Sequence, residues 1–248
     1  MSHDRTVLIT GASRGIGLAL AREFRTHSFC VVGVSRSEIP EGAVDKWIQA
    51  DVATDAGQAI VERKIASQVA SLDVLINNAG RGIQETWESM DEADLRAVME
   101  LNFFAPVLLT RRLLPSLRAS KGTVINVSSA AGKVGIACMG GYCASKFALS
   151  AFSESLRAEV EPDGVGVLNL IVGRIATGFG DHVLGSRTAP STRGIASADR
   201  LARATLRAYR RGRREIVFPA WYRAAILAAH LIPGIFYRKA RQAWGLPT

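Results

Sequence analysis

A glycine-rich turn at residues 10–17 lies between an apolar run and a helical pattern. Residues 6–10 read as a short strand, and Thr10-Gly11-Ala12-Ser13-Arg14-Gly15-Ile16-Gly17 follows directly. The helical pattern continues through Phe24. A strand, a glycine turn and a helix start commit the chain to a βα unit. They also make a phosphate site, because N–H groups at a helix N-terminus point at an anion and glycines let it approach. The spacing is G-x-x-x-G-x-G and not the G-x-G-x-x-G dinucleotide fingerprint. Gly11, Ser13, Arg14, Gly15, Ile16 and Gly17 are the candidate anion-binding residues, although an ordinary tight βα connection has a similar composition.

A second stretch, residues 129–146, reads SAAGKVGIACMGGYCASK. Tyr142 and Lys146 are four apart, so on a helix they share one face. Ser129 stands at the end of the apolar run 123–127, which reads as a buried strand. A strand-end hydroxyl, a phenol and an ammonium can thus converge on one point. Such a trio suits proton transfer to or from a carbonyl or carbinol oxygen. A free phenol has a pKa of about 10, and a neighbouring ammonium lowers it. The serine hydroxyl can hold the reacting oxygen. Y-x-x-x-K also arises by chance on many helices, so the pair gains weight only beside the N-terminal turn.

Together, T-G-A-S-R-G-I-G at 10–17, N-N-A-G at 77–80, Asn102, Ser129 and Tyr142/Lys146 resemble the short-chain dehydrogenase/reductase family. The match keeps the family's order and spacing from residue 6 to about 177. The resemblance implies an α/β fold with a Rossmann-type, doubly wound parallel sheet flanked by helices. It also implies a nicotinamide cofactor and hydride transfer. Asn102, Ser129, Tyr142 and Lys146 become the expected catalytic set, with Lys146 lowering the tyrosine pKa and binding ribose. Asn102 lies within a helix expected over 91–119. The family reading gives it a relay water next to Lys146; the plainer reading is a satisfied core amide. Ser128 is expected to be structural.

The remaining cofactor contacts also follow from the resemblance. An acid after the second strand, 30–35, favours NAD in this family, but Ser35-Arg36 stands here. Arg36, with Arg14, is expected to grip a 2′-phosphate, so NADP(H) is favoured over NAD(H). Asp51 and Val52, after a third strand at 47–50, are expected at the adenine. Asn78, Ala79 and Gly80, after a strand at 73–76, are expected to border the cofactor. Ile175 and Thr177, after a strand at 165–172, are expected at the nicotinamide amide. The family's usual Pro-Gly is Val172-Gly173 here, which removes a φ constraint. Residues 174–198 are expected to form a substrate lid, and residues 132–141 an apolar pocket wall.

Composition decides the rest. The 248 residues carry a net charge of +9, placed unevenly. Residues 200–248 hold 11 Lys/Arg against 1 acid, whereas the remainder holds 20 against 21. The basicity therefore belongs to the end of the chain. The expected division is a catalytic domain over 1–219 and a helical extension over 220–248. Residues 220–237 are largely apolar but broken by Pro233-Gly234, too short to span a bilayer of about 20 apolar residues. Flanking arginines and aromatics suit peripheral membrane contact through 220–244 or a route for a lipophilic substrate. Oligomer packing or a cover over the cleft is the alternative. The three cysteines are too few for a disulfide framework and the four histidines lack ligand spacing, so no metal is expected. The start lacks a signal-peptide pattern, which with the cysteine usage points to a cytoplasmic protein. No nucleic-acid motif accompanies the arginines.

The expectation is an NADP(H)-dependent oxidoreductase acting on a lipophilic carbonyl or alcohol, such as a steroid, retinoid or long-chain ketone. By analogy with the family, it forms a homodimer or homotetramer through the helix 142–160 and the helix bearing Asn102. A basic tail also suits an acidic carrier or coenzyme A thioester. The rival from another class is a non-catalytic NADP-binding regulator or scaffold at a membrane surface. It has no chemical need for the whole Asn–Ser–Tyr–Lys set.

Overall fold

A computed structural model describes residues 5–190 and 195–247. The expected signal-free start, with His3, and residues 191–194 of the expected lid lie outside the described residues. In chain order the first half runs β1 (Arg5–Thr10), α1 (Gly15–Thr26), β2 (Phe29–Ser35), β3 (Lys46–Gln49), α2 (Asp55–Gln68), β4 (Val74–Asn77), α3 (Glu92–Met99) and α4 (Ala105–Ser120). The second half runs β5 (Thr123–Ser129), α5 (Gly140–Val160), β6 (Gly166–Val172), β7 (Ile175–Ala176), β8 (Ala196–Ser197), α6 (Ala198–Arg210), β9 (Glu215–Phe218), α7 (Tyr222–Leu231) and α8 (Pro233–Ala243).

Seven strands form one parallel sheet in the order β3-β2-β1-β4-β5-β6-β9. The order reverses between β1 and β4, which makes the crevice at their carboxyl ends the natural ligand site. Successive strand residues face opposite sides. Val7 and Ile9 therefore enter one core with Phe24 of α1 and Leu201 and Leu206 of α6. Leu8 enters the other, with Val61 of α2, Leu109 and Leu113 of α4 and Leu156 of α5. Both faces are covered, so the strands read as continuous apolar runs.

A polar row pins the register of the middle strands. Asn77, Asn126 and Asn169 lie side by side on β4, β5 and β6. Asn77 Nδ2 donates to Asn126 Oδ1 at 2.8 Å and to Thr110 Oγ1 at 3.0 Å. Asn126 Nδ2 donates to Ser153 Oγ at 2.9 Å. A slip of one residue would break these buried bonds.

Two regions differ from the sequence reading. The helix expected over 91–119 starts after Asp91, whose carboxylate accepts from the N–H groups of Ala93 and Asp94. It then passes through a π turn, Glu100–Phe104, before α4. Amphipathic spacing does not reveal one extra residue in a turn, and such turns recur at functional sites. Part of the segment expected as a lid forms regular structure. β7 pairs with β8, and Leu184 exchanges backbone bonds with Gly82 and Gln84 at 3.0 and 2.8 Å.

Candidate active site

The glycine turn is locked onto the turn after β4. Thr10 Oγ1 accepts from the N–H groups of Asn78 and Ala79, both at 3.0 Å. Asn78 Nδ2 returns bonds to the carbonyls of Thr10 and Gly11 at 2.9 and 3.2 Å. Gly11 has φ +67°, and a methyl there would lie 3.0 Å from Ala79 Cα. A methyl on Gly17 would lie 2.1 Å from the Gly11 carbonyl oxygen. Gly15, at φ +56°, would meet Thr177 at 3.3 Å, so this loop and the segment after β6 close on each other. The first turn of α1 has no acid, and the Arg14 side chain does not cap it. These features fit an anion at the helix start with its diphosphate against Gly11, Ser13, Arg14, Gly15, Ile16 and Gly17.

The residues expected at the adenosine lie where β2 and β3 finish. Arg36 is exposed and lies 3.6 Å from Asp51. Gln49 Nε2 donates to the Arg36 carbonyl at 3.1 Å. Ser37, which the sequence reading passed over, donates to Ser13 Oγ at 3.3 Å. It adds a hydroxyl beside Arg14 and Arg36. Its only sequence signal was the serine following Arg36. Val52 is buried below, in the core beneath this edge.

The four catalytic candidates come from three elements. Ser129 ends β5, Tyr142 and Lys146 share the first turns of α5, and Asn102 projects from the π turn. Ser129 acts on the Tyr142 phenol, and its Oγ accepts from the Ala131 N–H at 3.1 Å. Lys146 Nζ donates to the Val127 carbonyl at 2.9 Å. A methyl on Gly80 would lie 3.1 Å from Asn102 Oδ1 and 3.6 Å from Lys146 Nζ, so both groups face this glycine. Ser128 is structural: its Oγ donates to the Lys146 carbonyl at 3.2 Å and sits 2.9 Å from Ser150 Oγ.

Asn102 is fully buried and heavily used. Its Oδ1 accepts from the Arg81 N–H at 2.8 Å. Its Nδ2 donates to the Arg81 carbonyl at 2.8 Å and to Ser145 Oγ at 3.0 Å. Ser145 in turn donates to the Tyr142 carbonyl at 2.8 Å. Both amide hydrogens are spent on the protein, so the side chain itself clamps the 81 loop to α5. Ser145, inside the Y-x-x-x-K segment, was not singled out from sequence, because a serine in a helix gives no sign of which face it lies on.

Burial sets the protonation states, and here the protein alone differs from expectation. Burial pushes the Tyr142 phenol up to about 12, against a smaller opposing pull from Ser129. Burial also lowers the Lys146 ammonium to about 8. Lys146 was expected to lower the tyrosine; instead its Nζ donates to the Val127 carbonyl and burial governs both groups. Tyr142 is part of an apolar cluster with Ile83, Val98, Ala131 and Cys143, flanked by Met90, Ile136, Met139 and Leu184. The segment after β7 brings Phe179 to 6.1 Å from the Tyr142 ring, centre to centre. Ile175 and Thr177 follow β6 at the edge of this space, with Thr177 beside Gly15.

Residues 5–184 match the family described as short chain dehydrogenase. The chain belongs to this family. Its members are oxidoreductases that use a nicotinamide cofactor. One relative is the 3-ketodihydrosphingosine reductase of Bacteroides thetaiotaomicron, 37% identical over 73% of this chain and 67% of its own. Another is the NADPH-dependent 1-acyldihydroxyacetone phosphate reductase of Schizosaccharomyces pombe, 34% identical over 76% of this chain and 66% of its own. These alignments span about two thirds of the relatives' length. A short-chain dehydrogenase from Sphingobium yanoikuyae, solved with NADPH, superposes with a TM-score of 0.78 at 26% identity, over 92% of this chain and 94% of that one. Among the described residues no helix is long and apolar enough to cross a membrane, and no group of His, Cys, Asp or Glu is placed to hold a metal ion.

Proposed function

We propose that the protein is an NADP(H)-dependent oxidoreductase that interconverts a carbonyl and an alcohol on a lipophilic substrate. The observation that carries this reading is that Lys146 Nζ and Asn102 Oδ1 meet at Gly80, with Tyr142 one turn before Lys146 on α5 and Ser129 at the end of β5, next to the glycine cradle. A bound nicotinamide supplies the hydride. Gly11 to Gly17 hold its diphosphate, Arg14 and Arg36 its 2′-phosphate, and Asp51 and Val52 the adenine. Asn78, Ala79 and Gly80 border the ribose with Lys146, and Ile175 and Thr177 take the carboxamide.

In the reducing direction Ser129 would hold the carbonyl oxygen and Tyr142 would give that oxygen its proton. A phenol near 12 keeps its proton until the oxygen becomes a far stronger base. Lys146 then stabilises the tyrosinate. Asn102 is a positioning residue, acting through Arg81 and Ser145. In oxidation the same groups run in reverse, and Tyr142 must take up the alcohol proton as the phenolate.

The NADP(H) preference is supported by the two arginines and by relatives named for or solved with NADPH. The lipophilic class is supported by the apolar cluster around Tyr142 and by relatives named for 3-ketodihydrosphingosine and 1-acyldihydroxyacetone phosphate. Exposed Phe104 at the π turn and Phe147 on α5 support a homo-oligomer through these helices. The test is kcat/KM for NADPH and NADH across long-chain and small carbonyls. NADPH preference that collapses in Arg36→Asp is expected. Equal use of both cofactors by the wild type would contradict the Arg36 assignment.

A further inference from the structure

The last 29 residues do not fit the rest of the surface. From Ala220 onward the chain holds four Lys/Arg and no acid. Half of the twelve large apolar side chains exposed among the described residues lie here, in 17 positions. They are Trp221, Leu227, Leu231, Ile232, Ile235 and Tyr237, each 43–71% exposed. Only Ala229 of α7 is buried, and no residue of α8 is. Leu227 and Leu231 are one turn apart on α7, and the Ile232–Ile235 turn continues their stripe to the tip of the hairpin. Arg223 lies one turn behind Leu227, and Arg238 and Lys239 lie one turn beyond Ile235. An apolar patch of this density marks a contact surface.

Its base is fixed to the catalytic domain. Tyr222 lies against Gly173, where a methyl would come within 2.1 Å of the ring. Tyr222 Oη accepts from the Arg174 N–H at 3.1 Å, and Trp221 stacks on Tyr222 at 4.0 Å between ring centres. The hairpin therefore projects from the carboxyl ends of β6 and β9, the side of the sheet that holds Tyr142. α7 has 10 residues and α8 has 11, about 15 Å each at 1.5 Å per residue, half of a bilayer's hydrocarbon core. Such helices lie in an interface and do not cross it.

We infer that the α7–α8 hairpin docks on a bilayer surface containing anionic phospholipid. The tip, Leu231 to Ile235, enters the acyl boundary, and Arg223, Arg238, Lys239 and Arg241 meet the headgroup phosphates. Charge selects this occupant over a second copy of the chain. A two-fold interface on this face would set an all-basic patch against itself. A bilayer offers apolar depth and negative charge together. Docking there also turns the catalytic face toward the membrane, where a lipophilic carbonyl would reside. The inference itself stands on the surface alone and needs no redox activity.

The full chain is mixed with vesicles of phosphatidylcholine alone or with phosphatidylserine at moderate salt, and bound protein is measured by flotation. Binding to the anionic vesicles, weakened by added salt, is expected. Arg238→Ala/Lys239→Ala should weaken it about 25-fold, at about fivefold per cation. Leu231→Asp/Ile232→Asp should remove it, with Tm unchanged because both side chains are exposed. Absent binding, equal binding to neutral vesicles, or wild-type binding by both variants overturns the inference. So does a Leu231→Asp/Ile232→Asp variant that turns a wild-type dimer into a monomer, which would make the patch an interface between copies.

Discussion

Lys146 and Arg238 are both cations on helices, and they obey opposite rules. Lys146 is buried on α5, donates a hydrogen bond to one backbone carbonyl, and has its charged form disfavoured by desolvation. Arg238 is exposed on α8, among apolar side chains that are exposed too. Around Lys146 the Asn102 amide is fully hydrogen-bonded, and a methyl on Gly80 or Gly132 would press on a neighbour at 3.1 or 2.6 Å. Around Arg238 a methyl on Gly234 would meet nothing within 4 Å. The first region is specified by internal contacts, so it can hold reacting groups in place. The second is specified by composition, so it is shaped for something outside the chain.

The largest effect that separates the two regions is expected from Lys146→Met. Turnover should fall on the order of 100-fold or more, the scale of acid–base catalysis. Tm should hold or rise, because a desolvated charge has been removed. A large loss of Tm would mean that Lys146 serves mainly as a structural group. With the wild type, cofactor affinity should weaken as pH rises through about 8, where the ammonium of the free protein loses its proton. That step should be missing in Lys146→Met.

Paired glycine substitutions probe the same contrast through packing. Gly17→Ala places a methyl 2.1 Å from the Gly11 oxygen and should cost about 1–3 kcal/mol in denaturant unfolding, along with cofactor binding. Gly234→Ala should be neutral or stabilise by about 0.5–1 kcal/mol, as expected in an open helix. Similar losses at both sites would erase the distinction between the regions.

Two further tests concern the joints. Glu85, in the loop under the lid, accepts from the Ser186 hydroxyl and from the N–H groups of Thr86 and Ser186, and is held down at about 2. Its folded pKa lies below the unfolded value of about 4.3, so its contribution is complete above that pH and is lost as pH falls toward 2. Hydrogen exchange at residues 184–187 should quicken over that range, and Glu85→Gln should be fast at neutral pH. Tyr222→Phe keeps the ring on Gly173 but removes the acceptor for Arg174 N–H, and should cost about 0.5–1.5 kcal/mol. A change of a few-fold in cofactor affinity would show that the hairpin's base steadies the segment carrying Ile175 and Thr177.

Much of the fold was legible because parallel strands buried on both faces are uninterrupted apolar runs. Six of the seven strands of the main sheet fell within about one or two residues of their expected bounds. The glycine turn, N-N-A-G, Ser129, Tyr142 and Lys146 were legible as types in order. The π turn was not, since one extra residue per turn leaves the helical pattern intact. The two-residue pair β7–β8 and the Glu85 tether depend on contacts roughly 20 and 100 residues apart, which no local pattern encodes. The direction of the Tyr142 shift was missed for a related reason. A motif names the ammonium beside a phenol, but not how deeply both are buried or which carbonyl the ammonium faces.

The most direct measurement is single-turnover reduction of a long-chain ketone by wild type and Tyr142→Phe, with NADPH affinity measured on the same samples. Both proteins should bind NADPH with similar affinity, and only the wild type should convert the ketone to alcohol at an appreciable rate. Tyr142→Phe that reduces the ketone as fast as wild type would contradict the assignment of the proton donor, and with it the reading of the site.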